Sequence, residues 1–135
     1  TVWERWENLD GPGMNSHNHP MNAAYTAFLF QSLAGFGWPR QGQLRRVVLE
    51  PDVAADLSFV DARLETPAGP VRCRWEKEGG RVRLRVEIPW NTTALLRLKR
   101  FAADFRFTGG AAEIGLPSGA HTLLFDGENF REVDT

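Results

Sequence analysis

The chain has 135 residues, enough for one domain with a buried core, and its 17 acidic residues nearly cancel its 16 basic ones. A formal net charge of −1 gives no electrostatic reason to expect nucleic acid or an anionic membrane as a partner. Its longest apolar stretches also fall well short of the roughly 20 residues that a membrane span needs. The single cysteine, Cys73, excludes an internal disulfide.

The first residues of the sequence do not resemble a targeting signal. Thr1 is not an initiator methionine, and the residues after it lack the basic leader and apolar core of a signal peptide. We therefore expect the chain to be cut from a longer protein, so that the compartment stays unknown.

Two groups of residues that could carry chemistry lie within the first twenty positions. They are Trp3-Glu4-Arg5-Trp6-Glu7 and Met14-Asn15-Ser16-His17-Asn18-His19. Sugar rings pack their C–H faces on indole, and their hydroxyls bind charged or amide groups. Trp3, Trp6 and Asn18 are therefore candidate substrate-binding residues. From composition alone, the favoured interpretation is still that both tryptophans pack in a core while their charged neighbours face solvent.

A metal site is the alternative interpretation of the histidines. His17 and His19 could ligate a metal with Glu4 or Glu7 as a third ligand. The only other histidine is His121, and the loop contains no cysteine. We therefore assign no metal and no cofactor, and His17 taken alone is best interpreted as a loop residue hydrogen-bonded to backbone.

A helix is predicted from Pro20 to Leu33. Proline suits the first helical turn, and Gly35 suits the position just past the end. Apolar residues recur there at nearly 3.6-residue spacing, at Met21, Ala24, Tyr25, Phe28, Leu29 and Leu33. Ala23, Ala27 and Phe30 widen this face until little polar surface remains, so we expect other elements to pack on the helix.

After Pro39 the apolar period changes to two, which indicates strands. Apolar residues alternate with charged ones in two runs, Val71, Cys73 and Trp75, then Val82, Leu84, Val86 and Ile88. Gly79-Gly80 between the runs predicts a two-residue hairpin turn, with one apolar face and one face of charge pairs. Cys73 is accordingly predicted to be a core residue rather than a nucleophile.

Further strands are predicted between Pro-, Gly- and Asn-rich turns. They are Leu44–Leu49, Leu57–Glu65, Thr93–Leu98, Phe105–Phe107 and His121–Phe125. Several short strands at this spacing, with no helical pattern between them, predict an antiparallel sandwich.

Taken in chain order, four motifs resemble the C-terminal part of the bacterial α-L-rhamnosidases, a family of inverting glycoside hydrolases. Residues 1–6 resemble the family's Thr-x-Trp-Glu-x-Trp segment, and residues 14–19 resemble its Met-x-Ser-x-Asn-His loop. Residues 65–69, followed by Trp75, resemble its Glu-Thr-Pro-x-Gly turn and Trp-containing strand. Residues 88–94 resemble its Ile-Pro-x-Asn-Thr-x-Ala segment. Beyond residue 94 only strand patterning remains.

The resemblance implies a mainly β fold, an antiparallel β-sandwich preceded by the terminal helical segment of an (α/α)6 barrel. Residues 1–38 would be the C-terminal end of the catalytic barrel, with its active-site loop and last helix. Residues 39–135 would form the C-terminal β-sandwich domain. The remainder of the barrel would then be the partner that the apolar helix requires.

The resemblance also implies hydrolysis of terminal α-L-rhamnosyl groups with inversion, and a rhamnose-containing glycoside as substrate. Glu4 falls on the motif's general base, and His19 falls on the histidine that contacts sugar hydroxyls. The two carboxyl groups of an inverting site stand roughly 6.5–9.5 Å apart. The family's general acid lies far upstream, and neither Glu7 nor Asp10 can take that role. We therefore expect this chain alone to be inactive.

One departure and one alternative accompany the resemblance. His17 stands where the family often carries an aromatic residue. The alternative function is a stand-alone carbohydrate-binding or structural β-sandwich, in which the N-terminal segment is a tail. Exposed aromatic residues on one sheet face would support that alternative.

Overall fold

Two β-sheets preceded by one helical segment make up the described part of the chain. The computed structural model describes Trp3 and residues 17–37, 45–53, 56–98, 113–126 and 130–133. Within these ranges the strands are β1 (Phe36–Gly37), β2 (Arg46–Leu49), β3 (Phe59–Thr66), β4 (Gly69–Glu78), β5 (Arg81–Ile88), β6 (Thr93–Arg97), β7 (Glu113–Leu116), β8 (Gly119–Phe125) and β9 (Phe130–Glu132). The predicted mainly β fold is confirmed.

The helical segment covers the predicted span but is not uniform. A 3-10 turn at Pro20–Ala23 leads into an α-helix at Ala24–Phe28, and a π-helical turn follows at Leu29–Leu33. The backbone N–H of Ala34 closes the π turn by donating to the Leu29 carbonyl at 3.1 Å. Turns of the 3-10 type are frequent at helix ends, whereas π-helical turns are rare. Neither could be read from the apolar spacing, which only approximates a 3.6-residue period.

The apolar face of this helix is open in the described part of the chain. None of the described side chains from Ala24 to Leu33 is buried. Met21 is 79% exposed, and Tyr25 and Phe28 are both more than half exposed. Phe30 contacts Phe36, at 6.1 Å between ring centroids, but the described residues leave most of this face uncovered.

The strands form a four-stranded sheet in the order β1-β2-β6-β7 and a five-stranded sheet in the order β3-β4-β5-β8-β9. Every neighbouring pair is antiparallel except β2 and β6, which run parallel. In the predicted hairpin, Glu78 pairs with Arg81 across Gly79 and Gly80, whose φ values are +53° and +80°. Two consecutive positive φ angles favour glycine, so the hairpin and its turn are confirmed.

The inward faces of both sheets share one apolar core. Trp75, Leu49, Leu84, Leu96 and Leu123, all nearly inaccessible to solvent, come from the two sheets and form one cluster. Cys73 also lies in this cluster, where burial raises its pKa to about 12. The thiol therefore stays protonated near neutral pH, as its predicted core position requires.

The outward face of the β3-β4-β5 sheet carries a network of ion pairs. Arg72 donates from Nε and Nη2 to the two carboxylate oxygens of Asp61, at 2.9 and 2.7 Å, and from Nη1 to Glu87 at 3.3 Å. Arg74 joins Asp61 to Glu76, at 3.2 and 2.7 Å. Hydrogen bonds from Arg72 lower the pKa of Asp61. The predicted face of charge pairs is thus confirmed.

The C-terminal end of the helix is fastened to the sandwich by hydrogen bonds from three strand or loop residues. The indole N–H of Trp75 donates to the Leu33 carbonyl at 2.8 Å. The backbone N–H groups of Glu50 and Asp52 donate to Gly35 and Ser32 carbonyls, at 2.7 and 2.9 Å. Gly35 adopts a φ of +78°, and a Cβ there would overlap the backbone of Glu50 and Pro51. Only glycine fits this junction.

The remaining strand predictions have mixed outcomes. The predictions that correspond to β2, β3, β6 and β8 are confirmed with boundaries shifted by one or two residues. Phe105–Phe107 lies outside the described residues. The short strands β1, β7 and β9 were not predicted, since two to four residues carry too little alternation to detect.

No helix in the described ranges is long and apolar enough to cross a membrane.

Replacing Gly35 by Ala should destabilise the protein by more than the same change at Gly80. Both glycines have φ near +80°, but nothing lies within 4 Å of a Cβ at Gly80. Gly80→Ala should therefore cost only the backbone strain, about 1–2 kcal/mol, whereas Gly35→Ala adds a clash with fixed backbone. Urea unfolding of both variants measures the difference, and equal losses would contradict the close approach.

Replacing Asp61 by Asn should lower the stability at neutral pH by at most about 1 kcal/mol, because the pair is partly exposed. The lowered pKa of Asp61 means that its pairing stabilises the fold above the usual pKa of 3.8 and is lost as the pH falls through the folded value. When the pH is lowered below about 4, the free energy of unfolding of the variant should therefore fall less than that of the parent. Glu65→Gln, in an exposed pair with Arg63, is the control. Parallel pH profiles of all three proteins would contradict the prediction.

Candidate functional site

The structure describes three of the five predicted site residues. Trp3, Asn18 and His19 lie within the described ranges, whereas Glu4 and Trp6 lie outside them. The geometry of the two N-terminal clusters is therefore described by Trp3 from the first cluster and residues 17–19 from the second.

The two clusters are in direct contact. The ring centroids of Trp3 and His17 are 4.2 Å apart and the ring planes differ by 16°, so the imidazole stacks flat on the indole. Trp3 is 43% exposed, so part of the ring surface stays accessible beside the stack. The contact places an indole next to the loop that carries Asn18 and His19.

The loop reaches this position through its connection to the helix. His19 is extended, with φ −97° and ψ 96°, as expected for a residue that precedes proline. The backbone N–H of Asn22 donates to the His19 carbonyl at 3.1 Å. The side-chain amide of Asn22 donates to the Trp3 carbonyl at 3.3 Å. One residue of the first helical turn thus hydrogen-bonds to both clusters.

The chemical groups of this region suit a polar ligand. His17 and Asn18 are exposed and His19 is half-buried, so imidazole and amide groups lie at the surface beside an indole. Such a combination of a flat apolar ring with hydrogen-bonding groups is what a sugar requires. Across the described ranges, no three His, Cys, Asp or Glu side chains come together as metal ligands would.

The contact of His17 with Trp3 was not predicted from the sequence. His17 was interpreted as a loop residue bonded to backbone, and its stack on Trp3 was not foreseen. The only signal was that an aromatic-like ring stands at this position in a loop that follows a tryptophan-rich segment. Contacts between segments 14 residues apart cannot be read from either segment alone.

The third histidine has a structural position. Nδ1 of His121 lies 2.7 Å from Oε1 of Glu132, and Nε2 lies 2.9 Å from the Pro117 carbonyl. These contacts join β8 to β9 and to the turn before β8. His121 is therefore occupied within the sandwich and is not part of the N-terminal site.

An apolar groove of about 430 Å³ lies between the helix and the sandwich. Phe30 of the helix, Phe36 of β1, Val47 of β2 and Leu64 of β3 contribute to its walls. None of the described site residues, Trp3, Asn18 and His19, lines the groove, so it is separate from the region around Trp3.

Comparisons with known proteins point to one family. The sequence model of the bacterial α-L-rhamnosidase C-terminal domain matches residues 39–106, about half of the chain. An α-L-rhamnosidase of Formosa agariphila is 28% identical over 134 residues, which cover 96% of this chain and 14% of that protein. The chain spans 10–14% of the length of the curated relatives that it matches.

Solved structures agree with the sequence comparisons. The Streptomyces avermitilis α-L-rhamnosidase, crystallised with L-rhamnose, aligns with a TM-score of 0.71 and 28% identity, covering 92% of this chain and 13% of that one. The native Aspergillus terreus α-L-rhamnosidase aligns with a TM-score of 0.72 and 27% identity, covering 93% and 14%. The alignments include the helix-bearing N-terminal part as well as the sandwich, since they cover more than nine-tenths of the chain. This chain therefore belongs to the family of bacterial α-L-rhamnosidase C-terminal domains.

Proposed function

We propose that this chain is part of a glycoside hydrolase that removes terminal α-L-rhamnosyl groups with inversion, and that it supplies the general base, Glu4. The relatives that it matches are α-L-rhamnosidases, and one of them was crystallised with L-rhamnose. The partner of the site is then a rhamnose-containing glycoside.

The observation that carries the proposal is the stack of Trp3 on His17. It brings Trp3, which precedes Glu4 in the sequence, against His17 of the loop that contains His19, at 4.2 Å between ring centroids. A base and a sugar-binding imidazole must lie close together to act on one sugar ring, because the base has to reach a water beside the anomeric carbon. Contact between the two segments meets the first requirement of such a site.

The proposed roles divide between binding and proton transfer. Trp3 and Trp6 present indole surface to the C–H face of the sugar, and Asn18 and His19 hydrogen-bond to its hydroxyls. Glu4 accepts a proton from water, and the resulting hydroxide equivalent attacks the anomeric carbon on the face opposite the leaving group. In general, indole rings beside a carboxylate lower the local polarity and so strengthen it as a base.

The general acid comes from another part of the parent protein in this proposal. An inverting site needs an acid that protonates the leaving oxygen, and the carboxylates of the described strands are engaged on the sandwich surface. Asp61 and Glu76, for example, accept hydrogen bonds from arginines of the ion-pair network. This division is consistent with a chain that spans a small fraction of its relatives.

We further propose that residues 1–38 complete a catalytic (α/α)6 barrel and that residues 39–135 form the sandwich domain. The open apolar face of the helix supports this division, because such a face requires a partner and the described sandwich residues do not cover it. The match of the family model also begins at residue 39. The remainder of the barrel is the proposed partner.

The alternative, a stand-alone carbohydrate-binding sandwich, has less support. Such a module would present a row of aromatic residues on one sheet face. The exposed aromatics within the described strands are Phe59 and Phe130, which lie on β3 and β9, the two opposite edges of the five-stranded sheet. Arg74 also lies over the Phe59 ring, at 5.6 Å from its centroid.

Glu4→Gln in the full-length enzyme should lower kcat about 10²–10⁴-fold while the thermal unfolding temperature stays unchanged, because only the proton acceptor is lost. Hydrolysis of p-nitrophenyl α-L-rhamnoside measures kcat. Glu7→Gln is the matched control, since it removes the same charge three residues further on and should leave kcat near the parent value. A near-normal kcat for Glu4→Gln would remove the assignment.

The 135-residue chain alone should not hydrolyse p-nitrophenyl α-L-rhamnoside, because it lacks the general acid and most of the pocket. The same assay on the full-length enzyme is the positive control. Calorimetric titration of the isolated chain with rhamnose should likewise show no binding. Turnover by the chain alone would disprove the division of the site, and measurable rhamnose affinity without turnover would favour the binding-module alternative.

A further inference from the structure

His17 has no assigned role in sugar binding or proton transfer, yet its ring contacts Trp3 of the other N-terminal cluster. Its ring covers one face of Trp3 at 4.2 Å, with the two planes only 16° apart. The contact is therefore made by the flat face of the ring, and neither imidazole nitrogen is required for it.

The stack acts on the proposed base, Glu4, through the covalent chain. Trp3 immediately precedes Glu4 in the sequence, and consecutive Cα atoms are held about 3.8 Å apart by a planar peptide bond. Any contact that fixes the indole therefore restricts where the next side chain can lie. At the other end, His17 is two residues from His19, so the same contact restricts the sugar-binding loop.

A second interaction acts on the same two segments. Asn22 donates its side-chain amide to the Trp3 carbonyl and its backbone N–H to the His19 carbonyl, at 3.3 and 3.1 Å. The indole ring is thus held by His17 while the backbone of Trp3 is held from the helix. Two attachments, one to the ring and one to the carbonyl, limit both the position and the rotation of this residue.

We propose that His17 is a positioning residue, which holds Trp3 by stacking and thereby sets the placement of Glu4 relative to the loop of His19. The inference deepens the proposed function and rests on it. The property that position 17 supplies is a flat ring, so an aromatic residue without a titratable nitrogen should serve equally well.

The first test compares His17→Ala, His17→Leu and His17→Phe in the full-length enzyme. Loss of the ring should lower kcat about 10- to 100-fold, because a displacement of about 1 Å in a catalytic group can cost about 10²-fold in rate. KM should rise by a smaller factor than kcat falls, since His17 does not contact the sugar in this proposal and a less restrained Trp3 can still pack on it. His17→Phe should restore most of the rate. If Phe is as poor as Ala and Leu, or if all three retain the parent kcat, the proposal is wrong.

The second test is a double-mutant cycle with Trp3→Leu, which distinguishes action through Trp3 from a general effect on folding. If His17 acts through the indole, His17→Ala should lower kcat much less in the Trp3→Leu background than in the parent. Additive losses would overturn the inference. Trp90→Ala, which removes an indole that is 89% exposed and remote in sequence, is the control and should leave kcat unchanged.

The two proposals fail in different ways. If Glu4→Gln is inactive while His17→Ala retains full activity, the general base stands and the positioning role is disproved. If Glu4→Gln is active, the general-base assignment falls, and the inference about His17 falls with it. Thermal unfolding of each variant accompanies the kinetics, and His17→Leu gives a sterically similar variant if His17→Ala does not fold.

Discussion

The attachment of the helix to the sandwich is the constraint on which the position of the N-terminal site depends. The indole of Trp75, buried in the core of the sandwich, reaches out to the Leu33 carbonyl at the last helical turn. Helix carbonyls at this end have no partners within the helix, so a donor from the sandwich satisfies one of them and fixes the direction of the helix. Gly35 allows the backbone to approach Glu50 and Pro51 closely enough for this arrangement. The segment from Pro20 to Leu33 then carries the Trp3–His17 contact roughly 20 Å from the junction, given a helical rise of about 1.5 Å per residue.

The described part of the sandwich offers few groups that are free for chemistry. Cys73 is held as a protonated thiol by burial, and both ring nitrogens of His121 face oxygen acceptors. Asp61 and Glu76 have lowered pKa values because arginines donate to them. Groups that are fully engaged by neighbours stabilise a fold and position other elements, but they do not readily bind a substrate. The described sandwich therefore acts as a support, while the candidate chemistry lies in the N-terminal segment.

The features that could be predicted from the sequence are those that depend on residues close together in the chain. The β4–β5 hairpin was predicted in detail because its alternation and its two glycines are local signals. The parallel pairing of β2 with β6 was not, since strands separated by more than 40 residues leave no trace of their relative direction in the sequence. The π turn at Leu29–Leu33 was hidden by an apolar pattern that fits several helix types. For the candidate site, the residue types could be recognised from the motifs, but the stack of His17 on Trp3 could not, because it joins two segments across a loop.

The open helix face and the Trp3–His17 stack both depend on how well the helix is packed. A helix with almost no polar side needs burial. We therefore expect the segment from Pro20 to Leu33 to have its full stability only when a partner covers Met21, Tyr25 and Phe28. The first turn of that helix holds both Trp3 and His19 through Asn22. Whatever covers the apolar face therefore also stabilises the hydrogen bonds and the ring contact at the N-terminal end. In a glycosidase assembled from a barrel and a sandwich, such coupling would make a precise active site depend on the packing of both parts. If His17 has the positioning role that we propose, the stack on Trp3 would limit the motion that remains after the helix is covered.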